Sequence, residues 1–379
     1  MKETKPINIK QFEFTAALLP QFEEVLNSKD YVFYGSDNLW CNHSVDLYNN
    51  SAILRSCLNS KIQGIIGRNM KVNGIDAKNY LVNATDNLYD VFKKVAVDYV
   101  IHNGFSINTV LRNDREGISE FYHMDFTKLR SGKVNNVGRV NKYFYSSDWV
   151  NLRKYPYVEL PAFDLTAEEP SQVWYHRTYQ PAQTYYPIND WIGARKSVEI
   201  DIEIQNFHLN NLQQGFFPSM FIALNQGYAS EEEREQLYNH LEEKFSSTNQ
   251  AGKMFLTFSE DKEHAPEITT INPTTNGDMF MALNEMVQQN VLTGTRISNP
   301  ALLGIKTAGQ LGSRDEMVDS YEHYLQTVVI PSQEVLINEF EKLLFFKTGQ
   351  MTKIEIEQNK LFDNETTVIT DEQSTPSIT

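Results

Sequence analysis

One stretch near the middle of the chain, WIGARKSVEIDIEIQNFHLNNLQQGFFPS (Trp191–Ser219), separates two competing interpretations of the sequence. Its centre, Val198–Ile204, alternates apolar and acidic residues, and this pattern taken alone indicates a β-strand. The wider window spaces its apolar residues close to a helical period and has no Gly or Pro between Gly193 and Gly215. Because an uninterrupted run of this length exceeds an ordinary strand, we predict a helix.

The predicted helix distributes its residues in an unusual way. Apolar side chains occupy two arcs of its surface, and the remainder is acidic through Glu199, Asp201 and Glu203. A helix of this kind needs neighbours on two sides and water on the third. We therefore expect it to lie between other helices.

The composition excludes several classes of protein. The chain has 379 residues, 41% of them hydrophobic, which is enough for a substantial core. Its net charge of −15 repels nucleic acid over most of the surface, because phosphate binding needs clustered Lys and Arg. Two cysteines, Cys41 and Cys57, supply neither a disulfide framework nor metal-ligand spacing. No apolar run has the length of a signal peptide or a membrane span, so we expect a protein made and kept in the cytosol.

The first half of the chain predicts an α/β domain with mainly antiparallel strands. YVFYGSDNLW (Tyr31–Trp40) is typical of a strand followed by a Gly-Ser-Asp-Asn turn. SAILRSCLNSKIQGIIG (Ser51–Gly67) has helical spacing and a glycine stop, and Asp86–His102 predicts a second amphipathic helix. The residues from 105 to 174 are rich in Tyr, Phe, Val and Ile, which favour strands.

A small module of the βαββ type comes after the long helix. SMFIAL (Ser219–Leu224) is typical of a strand, and Ser230–Glu233 has the form of a capping box that opens a helix. KMFLTFSED (Lys253–Asp261) and EITTIN (Glu267–Asn272) predict two further strands. A second long helix is predicted after the module, at Asp278–Leu292.

LLGIKTAGQLGSRDEM (Leu302–Met317) half resembles a nucleotide-binding loop. A phosphate loop needs Gly and Lys adjacent, with another Gly five residues earlier. Here Ile305 separates Gly304 from Lys306, and position 299 is Asn. The stretch therefore predicts a glycine-containing loop that carries one lysine between two helices.

The last part of the chain predicts one long helix and a polar end. Ser313–Glu316 has the form of a second capping box. Pro331 lacks a backbone donor and should kink the helix that begins at this box. The final stretch, DNETTVITDEQSTPSIT (Asp363–Thr379), is polar and predicts a mobile tail.

Two His–carboxylate pairs are candidates for metal binding or acid–base chemistry. His43 lies near Asp46 in CNHSVDL, and His123 and Asp125 share one face of the strand predicted in YHMDF. Because no third ligand recurs at metal spacing, ordinary hydrogen-bonded pairs are the alternative. Two further interpretations stay open: an acidic metal-dependent hydrolase that uses these residues, and a monomeric adaptor or carbohydrate-binding module built on the aromatic strands.

Four stretches follow one another in a distinctive order: YGSDNLWCNHSVDLYNNSAI (34–53), YYPINDWIGARKSVEIDIEIQNFHLNNLQQGFFPS (185–219), ISNPALLGIKTAGQLGSRDEM (297–317) and YLQTVVIPSQEVLINEFEKLL (324–344). Together they resemble the portal (head-to-tail connector) family of tailed bacteriophages, in the form found in phages and prophages of Bacteroidetes-type hosts.

The resemblance implies an α+β, portal-like fold whose parts succeed one another along the chain. The implied parts are an α/β wing (1–188), a first stem helix (189–213), a βαββ clip (214–274), a second stem helix (275–293), a tunnel-loop region (294–313), a long kinked wing helix (314–346) and a short crown or disordered tail (347–379).

The resemblance also implies a function. The chain would form a ring of about twelve copies at one capsid vertex and conduct double-stranded DNA during packaging and ejection. The implied partners are further copies of the chain, the major capsid protein, the terminase large subunit during filling and a neck adaptor afterwards, with no membrane. DNA would be bound without sequence preference. No enzymatic activity, cofactor or metal is implied, and the location is the virion, after assembly in the host cytoplasm.

Three groups of residues would carry these roles. They are a tunnel loop against DNA (Lys306, Thr307, Gln310 and Arg314), a channel-lining face of the first stem helix (Glu199, Asp201 and Glu203) and a partner surface of the clip (Glu231, Glu232, Arg234, Asn249 and Gln250).

Overall fold

The computed structural model describes residues 31–214, 220–224, 254–258, 277–297, 299–303 and 314–359. The chain divides into two compact units. The first unit comprises residues 1–48, 56–192 and 296–379, and the second comprises residues 49–55 and 193–295.

The described part of the chain contains helices and short strands in mixed order. The helices are α1 (Trp40–Asn50), α2 (Ala52–Ile66), α3 (Leu88–His102), α4 (Arg195–Gln214), α5 (Gly277–Gly294), α6 (Arg314–Tyr324) and α7 (Ile330–Thr348). The strands are β1 (Asn69–Val72), β2 (Ile75–Asp76), β3 (Gly104–Leu111), β4 (Ile118–Met124), β5 (Leu129–Ser131), β6 (Lys142–Tyr145), β7 (Val158–Pro161), β8 (Ser171–Arg177), β9 (Met220–Leu224), β10 (Met254–Phe258) and β11 (Ile354–Glu357).

Helix α3 and the sheet beside it form the centre of the first unit. The sheet has the order β4-β3-β8, and both pairings are antiparallel, as the sequence predicts. The side chain of Asn87 caps α3 by accepting a hydrogen bond from the Asp90 amide. The helix ends where Asn103 adopts a left-handed conformation with φ 63°. The predicted helix Asp86–His102 is thus confirmed to within two residues.

The strand predicted at the start of Tyr31–Trp40 is wrong. Tyr31 forms a single antiparallel bridge with Gly132 instead of a strand. The chain then turns, with the Asn38 amide donating to the Gly35 carbonyl, so the predicted turn is confirmed. Arg130 explains the difference, because its buried guanidinium donates to the side chain and the carbonyl of Asn38 and holds this segment as a turn.

A second antiparallel sheet has the order β5-β6-β7, and a third has the order β11-β1-β2. Strand β11 belongs to the segment 347–379, which the sequence predicts as a crown or a disordered tail. Its residues Ile354–Glu357 instead pair with Val72–Asn69 of β1. The alternating Ile-Glu-Ile-Glu sequence explains this, because it places Ile354 in the core and the glutamates towards water.

Gly67, which ends helix α2, lies against the same sheet. Its φ is +65°, and a Cβ atom there would lie 2.5 Å from Ile356 Cγ2 and 2.6 Å from the Glu357 carbonyl oxygen. Gly74 has a similar φ of +82°, but a Cβ atom there would meet no atom within 4 Å. Gly67 is therefore constrained by both conformation and space, and Gly74 by conformation alone.

Replacing each glycine by alanine separates these two effects. We expect Gly74→Ala to lower the free energy of unfolding by about 1 kcal/mol, the strain of a left-handed alanine. Gly67→Ala should lower it by about 1–3 kcal/mol more, because the added methyl overpacks the contact with β11. Urea unfolding curves measure both values, and equal losses would show that β11 does not lie against Gly67.

The predicted long helix is interrupted near Pro331. Helix α6 is followed by a π-helical turn, Leu325–Val329, and Pro331 lies in the first turn of α7. Proline donates no backbone hydrogen bond, so a break in the regular ladder just before it is expected. Gln333 then ties α7 to the end of α2 by donating to the carbonyls of Gly64 and Ile65.

The residues that precede α4 are held inside the first unit. Asn189 and Trp191 both donate to the carbonyl of Ile101, at 2.6 and 3.1 Å. Asn189 also accepts a hydrogen bond of 3.0 Å from the indole nitrogen of Trp40. Because these side chains serve as anchors, the helix starts at Arg195 and not at the predicted residue 189.

The second unit contains α4, α5, the strand pair β9–β10 and residues 49–55 at the junction of α1 and α2. Gly294, the last residue of α5, lies so close to Ala194 that a Cβ atom would stand 2.6 Å from the Ala194 Cβ. The helix predicted at Asp278–Leu292 is confirmed with slightly wider bounds. Strands β9 and β10 lie in the predicted SMFIAL and KMFLTFSED segments and pair in parallel. The predicted capping box at residue 230 and the EITTIN strand lie outside the described residues.

Candidate functional site

The paired helices α4 and α5 form the candidate site of the second unit. Val198 of α4 and Val287 and Val291 of α5 are fully buried. Both helices also expose apolar side chains: Met281 and Met286 of α5 are 65% and 51% exposed, and Leu209 of α4 is 53% exposed. On α4, Leu209 lies eleven residues after Val198, which is about three full turns, so the two share one side that is buried near the start of the helix and exposed further along. Both helices therefore leave apolar side chains exposed, and the two-arc interpretation of α4 stays a prediction.

The acidic residues of α4 do not share one face. Glu199 and Glu203 are exposed and lie four residues apart, on one side of the helix. Arg195 donates to Glu199 at 2.9 Å. Asp201 is only 8% exposed, because a residue two positions from Glu199 points to the opposite side of a helix. The predicted acidic strip therefore lacks Asp201, since alternating residues share a face in a strand and not in a helix.

Asp201 instead forms a buried polar contact that sequence reasoning missed. Ser51 Oγ donates to Asp201 Oδ2 at 2.6 Å and accepts a hydrogen bond from the Leu54 amide at 3.2 Å. Gln205 donates to the other carboxylate oxygen at 3.0 Å. Ser51 precedes α2 and caps its first turn, so the hydroxyl joins this helix start to α4. A serine directly before a helical pattern was the available signal for the cap, but its partner is 150 residues away.

We expect Asp201→Ala to lower the free energy of unfolding by about 1–3 kcal/mol, because it leaves the buried Ser51 hydroxyl without its acceptor. Glu203→Ala is the matched control on the same helix and should change it by less than about 0.5 kcal/mol. Chemical denaturation of both variants measures the difference. Similar values for the two variants would contradict the assigned role of Asp201.

The remaining predicted site residues stay untested. Lys306, Thr307 and Gln310 of the tunnel loop lie outside the described residues, as do Glu231, Glu232, Arg234, Asn249 and Gln250 of the clip. Arg314 is the first residue of α6. Residues Pro300–Leu303, earlier in the tunnel-loop region, form a short 3-10 turn.

The two His–carboxylate pairs differ from those expected. His43 pairs with Asp37 at 2.6 Å, and His123 pairs with Asp98 at 2.8 Å. Partial burial raises the pKa of Asp37, but the hydrogen bonds with His43 and with the backbone amides, together with the charge of His43, outweigh it and bring the pKa below its usual value. The predicted partner of His123, Asp125, instead caps the turn Phe126–Lys128 with its side chain.

A metal-ligand cluster and the buried thiol of Cys41 are the further candidates for a reactive site within the described residues. Among the residues that the structure describes, no three His, Cys, Asp or Glu side chains come together as metal ligands. Burial raises the pKa of the Cys41 thiol to about 12, so it is not a thiolate nucleophile at neutral pH.

The described residues contain no helix that is long and apolar enough to cross a membrane.

Glu339 of α7 is a charged group that sequence reasoning missed. Its carboxylate accepts hydrogen bonds from Trp174 Nε1 at 2.9 Å and from Lys342 Nζ at 2.7 Å. His176 Nδ1 lies 3.7 Å away. Burial raises the pKa of Glu339, but the contacts with His176, Lys342 and Trp174 outweigh it and lower the pKa to about 2. The cluster therefore binds α7 to β8 through an ionised carboxylate.

This cluster makes the stability of the first unit depend on pH. Because the folded-state pKa of Glu339 is below its unfolded value, its stabilisation is present above about pH 4.5 and is lost as the pH falls towards 2. Glu339→Gln should therefore lower the unfolding free energy at neutral pH, and the difference from wild type should shrink below about pH 4.5. The exposed Glu355→Gln is the control, and urea titrations at several pH values measure the effect. A difference that is constant with pH would contradict it.

Comparisons with known proteins show a shared fold. No model of a protein family matches the sequence. A chain in the virion of the native gene transfer agent particle has a TM-score of 0.55 and 12% identity, over 84% of each chain. A chain in the neck of the empty particle scores 0.54, at 13% identity, over 84% of this chain and 85% of that one. One in the neck of the native particle, computed with C12 symmetry, scores 0.51, at 13% identity, over 82% and 83%.

Two further similarities are weaker. An HK97-family phage portal protein from Corynebacterium diphtheriae aligns over 82% of this chain with a TM-score of 0.45 and 9% identity, too low to establish a shared fold. An uncharacterised protein of Rickettsia felis is 36% identical over 90 residues, and this match spans 23% of each sequence. The chain therefore spans about a quarter of the length of that relative.

Proposed function

We propose that this chain is the subunit of a portal, a ring at one capsid vertex of a tailed phage or related particle that conducts double-stranded DNA. The observation that carries the proposal is the fold shared with gene transfer agent virion and neck chains over 84% of both chains. The four sequence stretches that resemble portals of Bacteroidetes-type phages support it independently, because the comparisons rest on structure at 12–13% identity.

The paired helices α4 and α5 supply a physical reason for the ring. At about 1.5 Å per residue, 20 and 18 residues span about 30 and 27 Å, which is a suitable length for a stem. Their exposed apolar side chains would be covered by neighbouring copies, which removes apolar surface from water. A closed ring covers these side chains in every copy, and the proposal is a ring of about twelve copies.

The charge of the chain suits a conduit. A net charge of −15 repeated in every copy repels DNA phosphates, so DNA can slide without binding to the wall. Glu199 and Glu203 are the proposed channel-facing residues of the stem. Lys306, Thr307, Gln310 and Arg314 are the proposed tunnel-loop contacts, which bind the phosphate backbone weakly and without sequence preference.

No reaction is assigned to the chain. Energy for packaging would come from a separate ATP-driven terminase, and the absence of a complete phosphate-loop sequence at Gly304–Lys306 agrees with this. Residues 214–274, which include Glu231, Glu232, Arg234, Asn249 and Gln250, would contact terminase during filling and a neck adaptor afterwards. The wing, residues 1–188, would contact the major capsid protein. The chain would assemble in the host cytoplasm and remain in the virion.

A charge placed on the exposed arc of α5 tests the stem contact. We expect Met286→Glu to prevent ring formation while the monomer stays folded, because a neighbouring copy would bury the carboxylate without a partner. Met351→Glu is the control, since Met351 is 87% exposed and belongs to the first unit. Mass photometry measures assembly, and circular dichroism measures folding. A Met286→Glu chain that still forms rings would contradict the stem contact.

A charge reversal in the proposed tunnel loop tests the contact with DNA. We expect Lys306→Glu to lower the amount of DNA packaged and retained in particles, because it replaces an attraction to phosphate by a repulsion. Lys306→Gln should have a smaller effect, and ring assembly should stay unchanged in both. Unchanged packaging and retention in Lys306→Glu would remove Lys306 from the proposed DNA contacts.

A further inference from the structure

The segment 128–161 has a charge opposite to that of the rest of the chain. It contains seven Lys or Arg residues and two Asp or Glu residues, a net charge of +5 in a chain of −15. It also contains the whole sheet β5-β6-β7. We call this segment the basic lobe. Such a charge asymmetry within one unit indicates a surface that meets an acidic partner.

Some cations of the basic lobe form contacts within the folded chain. Arg130 is fully buried, and its guanidinium lies 4.9 Å from the Trp149 ring. Lys128 pairs with Asp125 at 3.2 Å, and Lys142 pairs with Glu159 at 3.2 Å. These cations therefore stabilise the lobe itself.

Other cations are available for binding. The side chains of Arg139 and Arg153 are exposed and form no hydrogen bond or ion pair with the residues that the structure describes. Lys154 is exposed too, and its ammonium lies 5.0 Å from the centre of the Tyr155 ring. Exposed cations without a carboxylate partner keep their full charge for a second molecule.

The surface that carries Arg153 and Lys154 has a fixed backbone. Asp148 accepts a hydrogen bond of 2.8 Å from the Val150 amide. The Tyr155 amide donates to the Asn151 carbonyl at 3.0 Å, and Ser146 Oγ donates to the Tyr155 carbonyl at 2.8 Å. The turn between Asp148 and Tyr155 is therefore held at both ends, which lowers the entropy lost when a partner binds.

Exposed apolar and aromatic residues lie in the same segment as Arg153 and Lys154. Val150 and Val158 are 75% and 59% exposed, and Tyr155 and Tyr157 are both more than a third exposed. Tyr157 packs against Phe144, Tyr31 and Trp149, with ring centres 5.3, 5.6 and 6.3 Å away, so its partly exposed ring is held in place. Exposed Val, Tyr and Arg together are typical of protein interfaces, whereas a DNA-binding surface gains nothing from exposed valines.

We infer that the basic lobe docks on an acidic face of a second copy of this chain. The inference rests on the proposed ring, which brings many copies of the chain together. Outside the basic lobe, the chain carries a net charge of −20, since −15 less +5 is −20, so another copy offers the complementary charge. The contact would add an electrostatic bond between neighbouring first units to the apolar contact between second units.

The acidic face of the second copy is one side of helix α6. Asp315, Asp319 and Glu322 lie at helical spacing of four and three residues, and all three are exposed. None of them forms an ion pair within the described part of the chain. Carboxylates on one side of a helix match the loop at the Tyr145 end of the β5-β6-β7 sheet, which presents Arg153 and Lys154. Arg139 lies in the loop at the opposite end of this sheet.

Charge reversal of the lobe tests the inference. In the full-length chain, Arg153→Glu/Lys154→Glu should raise the concentration at which half of the rings dissociate at least tenfold, measured by mass photometry. Arg153→Gln/Lys154→Gln should raise it less, and the wild-type ring should dissociate more readily as salt increases. Lys71→Glu, an exposed charge reversal in β1, is the control and should leave ring stability unchanged. Circular dichroism of each monomer confirms folding.

A charge swap identifies the partner face. Adding Asp319→Lys/Glu322→Lys to the reversed lobe should restore ring stability, because attraction between neighbouring copies returns with the signs exchanged. Rings whose stability survives reversal of the lobe would overturn the inference and leave the proposed function intact. Intact rings that lose binding to double-stranded DNA would overturn it too, by assigning the lobe to nucleic acid. A wild-type chain that never forms rings would overturn the proposed function and this inference together.

Discussion

The first unit depends on one carbonyl group, that of Ile101 in the last turn of α3. Carbonyls at the end of a helix have no partner within the helix and must find donors elsewhere. Here the donors are the side chains of Asn189 and Trp191, at 2.6 and 3.1 Å. Asn189 also accepts from Trp40 at the start of α1. One helix end therefore joins three segments that are far apart in sequence, and it fixes the point at which the chain leaves the first unit.

The anchors explain where α4 begins, and contacts within the second unit explain the burial of Asp201. The residues that anchor cannot also be helical, so the regular helix begins only at Arg195. Val198 and Asp201 lie on its buried side, while Glu199 and Glu203 lie on its exposed side. The burial of Asp201 is possible because Ser51 and Gln205 both donate to its carboxylate. The helix thus has a fixed inner side and leaves apolar and acidic residues exposed together, which suits a subunit that meets further copies.

Local patterns predicted most of the elements, and long-range contacts account for the errors. Helices α2, α3 and α5 follow from their period, glycine stops and capping residues, and the π-helical turn follows from Pro331. Strand β11 was missed because four alternating residues gain their stability only from pairing with β1, which lies almost 300 residues earlier. The basic lobe was missed because its cations are spread between aromatic residues, so that no run of charge stands out. The clip residues and Lys306, Thr307 and Gln310 of the tunnel loop remain predictions, since they lie outside the described residues.

Closure of many copies into a ring with a central hole is the central claim. Native mass spectrometry of the purified full-length chain, with electron micrographs of the same sample, tests this claim most directly. We predict a single closed assembly of about a dozen copies whose images show a central channel. A monomer that stays stable and monodisperse at high concentration, with the apolar side chains of α4 and α5 exposed to water, would contradict it.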